Sequence, residues 1–165
     1  MSIFIFLEKN GIDYQRSDHP AVFTCEEADH LVPPMPGIKS KNLFLRDRRG
    51  KRHFLLIVPA EKTVDLKALS HELGISGLSL ASPGRLMEHL GVDPGSVSFL
   101  SIYNDLYCNV EVIFDTKIWT SDYLQCHPLI NTSTLLIGHD GVVSILDLTG
   151  HEYRLLEVPV RKVGE

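Results

Sequence analysis

From Ile38 to Val58 the chain reads IKSKNLFLRDRRGKRHFLLIV, two apolar runs around a charged turn that contains a glycine. This pattern spells one β-hairpin and commits the chain to a sheet. Two lysines stand at the hairpin entrance. Lys39 fits a solvated loop, but Lys41 comes just before Leu43, Phe44 and Leu45, where an ammonium is expensive unless something nearby needs it. At the other end Arg46, Arg48, Arg49, Lys51 and Arg52 crowd the tip. Such a tip is either a solvated turn or a local patch for a nucleic acid.

Further strands are predicted at 110–115, 123–126, 132–137 and 153–158, beside 42–46 and 53–58 in the hairpin, from β-branched and aromatic residues between turn formers. Two helices have clear ends. In VDLKALSHELG, Asp65 caps the first turn, Leu66, Leu69 and Leu73 recur at helical spacing, and Gly74 suits a left-handed exit. In SPGRLMEHLG, Ser82 caps, Pro83 takes the first helical position, Leu86 and Leu90 face inward, and Gly91 ends the helix. Residues 2–10, 25–32 and 139–148 are weaker helix candidates, and Pro33 to Gly37 form a stiff, shaped loop. The order is neither regular βα alternation nor pure β, so the expected fold class is α+β, a mixed, largely antiparallel, barrel-like sheet with flanking helices. Neither G-x-G-x-x-G nor G-x-x-x-x-G-K-[ST] occurs, which removes the dinucleotide and P-loop readings.

With 165 residues and no repeat or linker, residues 1–165 are expected to form one domain. A formal net charge of −5 argues against a general nucleic-acid coat but leaves room for a basic patch. Cys25, Cys108 and Cys126 form neither an even framework nor a C-x-x-C pair, which points to free thiols in a reducing compartment, and hence to the cytoplasm. The apolar stretch Ile3 to Leu7 runs into Glu8 and Lys9, too short for a leader or a membrane span. The eight histidines show no metal-ligand spacing, so neither metal nor other cofactor is expected.

Three stretches are not explained by packing: KSKNLFLRD around Lys41, GVDPGSVS at 91–98, and CHPLINTST at 126–134. Pro94-Gly95-Ser96 forms either a plain turn or a tight loop whose backbone N–H groups face an anion or carbonyl oxygen, with Gly95 admitting close approach. Pro128 forces extended backbone at His127, and alternation sends Cys126 and His127 to opposite faces, so they do not make a nucleophile and base pair. His127 alone is either a hydrogen-bonded structural residue or part of a site.

The strings KNLFLRDRRG, VDLKAL, LGVDPGSVS, ND at 104–105 and HPLINTST, in that order and spacing, resemble the free-standing prolyl-tRNA editing proteins of the YbaK and prolyl-tRNA synthetase-associated domain family. The resemblance implies a deacylase that acts in trans on mischarged tRNA(Pro), with tRNA(Pro) and prolyl-tRNA synthetase as partners and a barrel-like sheet as its fold. The KNLFL and HPLxNT signatures are similar to those of the alanyl-specific members, which clear Ala-tRNA(Pro). The cysteinyl-specific branch is the alternative, and a non-catalytic tRNA- or synthetase-binding module of the same fold is a rival reading. Lys41 matches the essential lysine, Gly95 and Ser96 match the glycine loop, and His127 matches the histidine that selects the aminoacyl group. Asn42, Val97 and Asn131 then join Ser96 as substrate-binding candidates. The family pattern G-S-V-x-P-F is broken here, because Gly95, Ser96, Val97 and Ser98 are followed by Phe99 and not by proline. A small-molecule ester or amide hydrolase is a third reading.

Overall fold

A computed structural model describes residues 2–21 and 36–162. The helix expected at 25–32, the loop prolines Pro33 and Pro34, and Cys25 lie outside the described residues. In chain order the elements are α1 (Ile3–Lys9), β1 (Tyr14–Asp18), β2 (Ser40–Asp47), β3 (His53–Pro59), α2 (Leu66–Leu73), β4 (Leu78–Leu80), α3 (Pro83–Leu90), β5 (Val110–Asp115), α4 (Thr116–Trp119), β6 (Tyr123–Cys126), β7 (Ser133–Gly138), α5 (His139–Thr149) and β8 (Tyr153–Leu156). Two 3₁₀ segments, Pro94–Ser96 and Phe99–Asn104, join α3 to β5.

The strands divide into two sheets. One has the order β1-β7-β6 and is antiparallel; the other, β4-β2-β3-β5-β8, is mixed, with β3, β5 and β8 parallel. The α+β expectation therefore holds, but the sheet does not close into a barrel. The expected hairpin forms, with Lys41 opposite Val58 and Leu45 opposite Phe54.

β3 is buried along its whole length because both of its faces are covered. Phe44, Leu55 and Ile57 pack on one side with Leu86, Leu90, Leu124, Cys126 and Leu135, in the core shared with the small sheet. Leu45, Phe54, Leu56 and Val58 pack on the other side beneath Leu69 and Leu73 of α2. Both clear helices end as expected. Asp65 accepts from the Ala68 N–H and Ser82 from the Arg85 N–H, while Gly74 and Gly91 take left-handed conformations. Two strands were not expected. β1 is polar apart from Tyr14 and gains its place by pairing with β7, and β4 is a three-residue edge beside β2.

Candidate active site

The three stretches singled out in the sequence meet where β2 begins and β6 ends. Ile38 N–H donates to the Tyr123 carbonyl at 3.1 Å and Gln125 N–H to the Ile38 carbonyl at 3.2 Å, a parallel bridge that ties the approach to β2 against β6. Gly37 makes this crossing possible: its φ is +93°, and a Cβ there would stand 2.7 Å from Leu136 Cδ1. Ser40 Oγ then donates to the Gln125 carbonyl at 3.0 Å, and from the second stretch Ser98 Oγ donates to the His127 carbonyl of the third at 2.6 Å. Leu124 and Cys126 face the shared core, as do Ile38 and Phe44. Strand alternation therefore turns Lys41 and His127 to the opposite side, at adjoining strand ends. Lys41 is part-buried, and among the described residues its ammonium makes no hydrogen bond or ion pair.

His127 Nδ1 lies 3.1 Å from the Ser133 carbonyl. A carbonyl only accepts, so Nδ1 carries the hydrogen and Nε2 keeps a lone pair. Burial lowers the pKa of His127 below the ordinary value of 6.5, against the raising effect of the Ser133 bond and with a further lowering from His19. The ring is accordingly neutral at pH 7. His19 is buried between the Pro20 carbonyl and Thr134 Oγ1, each at 2.8 Å. The loop after His127 holds Leu129 at φ +66°, a left-handed backbone that side-chain-bearing residues adopt at a cost.

These ring environments set a pH dependence. His127 and His53 both have lowered pKa values, chiefly through burial. Below 6.5, and down to the lowered values, the unfolded chain binds more protons than the folded one, so stability falls as pH drops through this window. Melting temperatures measured from pH 7.5 to 5 should decline, and His127→Gln should flatten the decline. A flat wild-type profile would contradict the burial argument.

The loop after α3 corrects one expectation. The Ser96 N–H donates to the Asp93 carbonyl at 2.9 Å, so it is spent inside the turn. It does not face an anion. The Gly95 N–H has no acceptor among the described residues. Sequence reasoning missed Ser98, which is fully buried. Its Oγ accepts from Leu100 N–H, its N–H donates to Ser101 Oγ, and its Oγ donates to the His127 carbonyl. The signal was present as S-x-x-S, a capping box opening the next 3₁₀ segment. Where the family pattern has a proline after this position, this chain fixes the loop through that capping box.

Asn42 Oδ1 is buried without a partner among the described residues, an acceptor whose desolvation they leave uncompensated. By alternation Asn42 faces the shared core with Phe44, on the side opposite Lys41. Val97 packs against that core, and Asn131 lies part-buried in the loop that carries His127 to β7. The Cys126 thiol is pushed up to about 12 by full burial, which makes it a core residue and not a nucleophile. The basic hairpin tip sits at the far end of β2, roughly 20 Å from Lys41 at about 3.3 Å per residue. Among the described residues no group of three or more His, Cys, Asp or Glu is placed to hold a metal ion, and no helix is long and apolar enough to cross a membrane.

The fold is shared with solved structures. The chain superimposes on the solved structure of a hypothetical protein, APE2540, with a TM-score of 0.68 at 15% identity, covering 92% of this chain and 96% of that one. A candidate trans-editing enzyme for prolyl tRNA synthetase gives 0.64 at 18% identity, covering 92% of each chain. The aminoacyl-tRNA editing domain matches residues 19–144, and the chain belongs to that family. It is 31% identical over 152 residues to the prolyl-tRNA editing protein ProX of Acetoanaerobium sticklandii, covering 92% of this chain and 93% of that protein. It is 33% identical over 148 residues to the prolyl-tRNA synthetase associated domain-containing protein 1 of Danio rerio, covering 88% and 80%.

Proposed function

We propose that this chain is a single-domain, trans-acting deacylase that hydrolyses mischarged tRNA(Pro) in the cytoplasm, with alanine as the amino acid it clears. The observation that supports the reading is that three distant stretches are tied together through the Ser40–Gln125 and Ser98–His127 hydrogen bonds, a junction from which strand alternation turns Lys41 and His127 away from the shared core.

The bond to be broken is the ester between the amino acid's carboxyl carbon and a ribose hydroxyl of the terminal adenosine. Water adds to that carbon, the C–O bond to ribose breaks, and the ribose oxygen leaves with a proton. Negative charge gathers on the carbonyl oxygen in between. A cation free of carboxylates and partly out of water is suited to that charge or to the neighbouring phosphate, since its field is less damped than in bulk solvent. Lys41 has that position. The Gly95 N–H, which has no acceptor among the described residues, is the second donor proposed for this charge. Cys126 supplies no nucleophile, so the attacking group is water, positioned with the help of the substrate's vicinal hydroxyl. The open Nε2 of neutral His127 accepts a hydrogen bond from the substrate's amino group or from that water. Asn131 orients the amino group or ribose, whereas Asn42, expected to bind substrate, is turned to the core on the side opposite Lys41.

Selection follows from size. A synthetase pocket made for proline rejects the smaller alanine poorly, because a few methylenes are worth only about 1–3 kcal/mol. A second pocket that admits the small side chain and excludes proline corrects the error, and His127 forms its wall. His127→Ala should therefore broaden the set of aminoacyl groups removed, read from deacylation of Ala-, Cys-, Ser- and Pro-tRNA(Pro). An unchanged range would take His127 out of this role. The same panel on the wild type tests the main reading: preferential loss of the alanyl ester supports it, and preferential loss of the cysteinyl ester moves the chain to the other branch. Salt-sensitive binding with no ester loss would instead make the chain a non-catalytic tRNA- or synthetase-binding module, a reading favoured only by the altered loop after Ser98 and the basic hairpin tip.

A further inference from the structure

The cations at the tip of the β2–β3 hairpin are not equivalent. Arg52 is forked onto Glu111, with bonds of 2.9 and 2.7 Å, so its charge is balanced. The Asp47 carboxylate accepts the Lys51 and Arg52 N–H groups and is held in the turn. Arg46 and Arg85 differ from Arg52. Arg46 bonds only to the carbonyls of Asp47 and Arg48, and Arg85, from the first turn of α3, bonds only to the Gly50 carbonyl and His53 Nε2. Neither has a carboxylate partner among the described residues.

These two guanidinium groups converge on Gly50. A Cβ at that residue would stand 2.8 Å from Nη2 of each, and Gly50 itself has φ +69°. The turn thus needs glycine twice, for its backbone and for the space into which both arginines reach. Two like charges flanking one point, both part-buried, repel each other unless an anion joins them. The rings of His53 and His89 lie beside them, 4.1 Å apart between centroids. His53 accepts the Arg85 N–H at Nε2 and is therefore neutral, in keeping with a pKa lowered by burial, His89 and Arg85. Each guanidinium keeps N–H donors that no carbonyl occupies. Arg48, Arg49 and Lys51 extend the positive field outward, with Asp47 the one acid in the turn itself.

The geometry points to a phosphate cradle, Arg46 and Arg85 around Gly50, that takes one backbone phosphate of an RNA. The proposal rests on the reading that the chain acts on a tRNA. α3 connects the two places: Arg85 lies in its first turn, and its other end leads through Gly91 to the loop that holds His127. Arg46 lies five residues along β2 from Lys41, about 17 Å at about 3.3 Å per residue, which a stacked strand at about 3.4 Å per nucleotide covers in about five nucleotides. The cradle is therefore suited to the acceptor stem close behind the single-stranded end.

Binding of uncharged tRNA(Pro), followed by fluorescence anisotropy from 50 to 300 mM salt, separates this inference from the question of hydrolysis. The double variant Arg46→Gln/Arg85→Gln should weaken binding several-fold and make the slope of log K against log salt shallower by about one. Lys67→Gln removes a charge from an exposed position on α2 and should leave the slope unchanged. Arg85→Lys keeps the charge and should keep most of the slope; if it fell as far as the double variant, a folding defect and not a lost cation would be responsible, and the cradle would be refuted. Equal tRNA binding by wild type and double variant would overturn the proposal, even if inorganic phosphate titrated calorimetrically bound only the wild type, since the site would then serve a free anion. It would equally be overturned if the double variant lost binding to prolyl-tRNA synthetase while keeping tRNA.

Discussion

Lys41→Ala should reduce kcat/KM for Ala-tRNA(Pro) at least about a hundredfold, the usual cost of removing one preorganised group that stabilises developing negative charge. The fold should survive the change. Lys41 lies at the start of β2, is only part-buried, and among the described residues makes no hydrogen bond or ion pair that truncation would break. Its melting temperature should therefore stay close to that of the wild type, within the small range typical of surface positions. The division of the loss tells which charge the ammonium meets. A fall in kcat with little change in KM indicates the carbonyl oxygen of the transition state, whereas a rise in KM alone indicates the phosphate of the bound tRNA. Activity within tenfold of the wild type would remove Lys41 from the mechanism and leave the convergence of the three stretches without its chemistry.

Asp105→Ala should cost about 3 kcal/mol or more of stability, because removing a buried carboxylate leaves its hydrogen-bond donors unsatisfied at about 1–3 kcal/mol each. The carboxylate is buried and accepts from Asn109 N–H at 3.0 Å, Val110 N–H at 2.8 Å and His151 Nε2 at 2.8 Å. It thereby ties the end of the second 3₁₀ segment to the start of β5 and to the turn between α5 and β8. Alanine orphans all three donors at once. Asp105→Asn keeps one acceptor in place and should cost clearly less. Urea unfolding with an unchanged m-value measures both, and a loss below about 1 kcal/mol for the alanine variant would mean that the network does not act as a brace.

The parts of the fold that local chemistry dictates were legible in the sequence. Asp65, Gly74, Ser82 and Gly91 mark helix ends because capping and left-handed exits need those residue types, and the hairpin followed from its two apolar runs. β1 and β4 were not legible, since Tyr14–Asp18 is nearly all polar and becomes a strand only through its distant partner β7. Periodicity also cannot say how many sheets a set of strands will form, which is why a barrel was expected and two sheets are found. At the site, Lys41, Gly95 and His127 drew notice because their residue types sit oddly in an apolar or turn context. Ser98 and His19 did not, because a serine among serines and a histidine before a proline look ordinary until Thr134 and the His127 carbonyl are placed beside them. The Ser96 N–H was misassigned because only the folded turn shows it closing on Asp93.

The pairing of β1 with β7 has a kinetic consequence. Tyr14 meets Ile137, so the small sheet forms only after nearly the whole chain has left the ribosome, and such long-range contacts close late. The edge that holds His127 belongs to that sheet. A nascent or half-folded copy would accordingly lack the edge on which His127 stands.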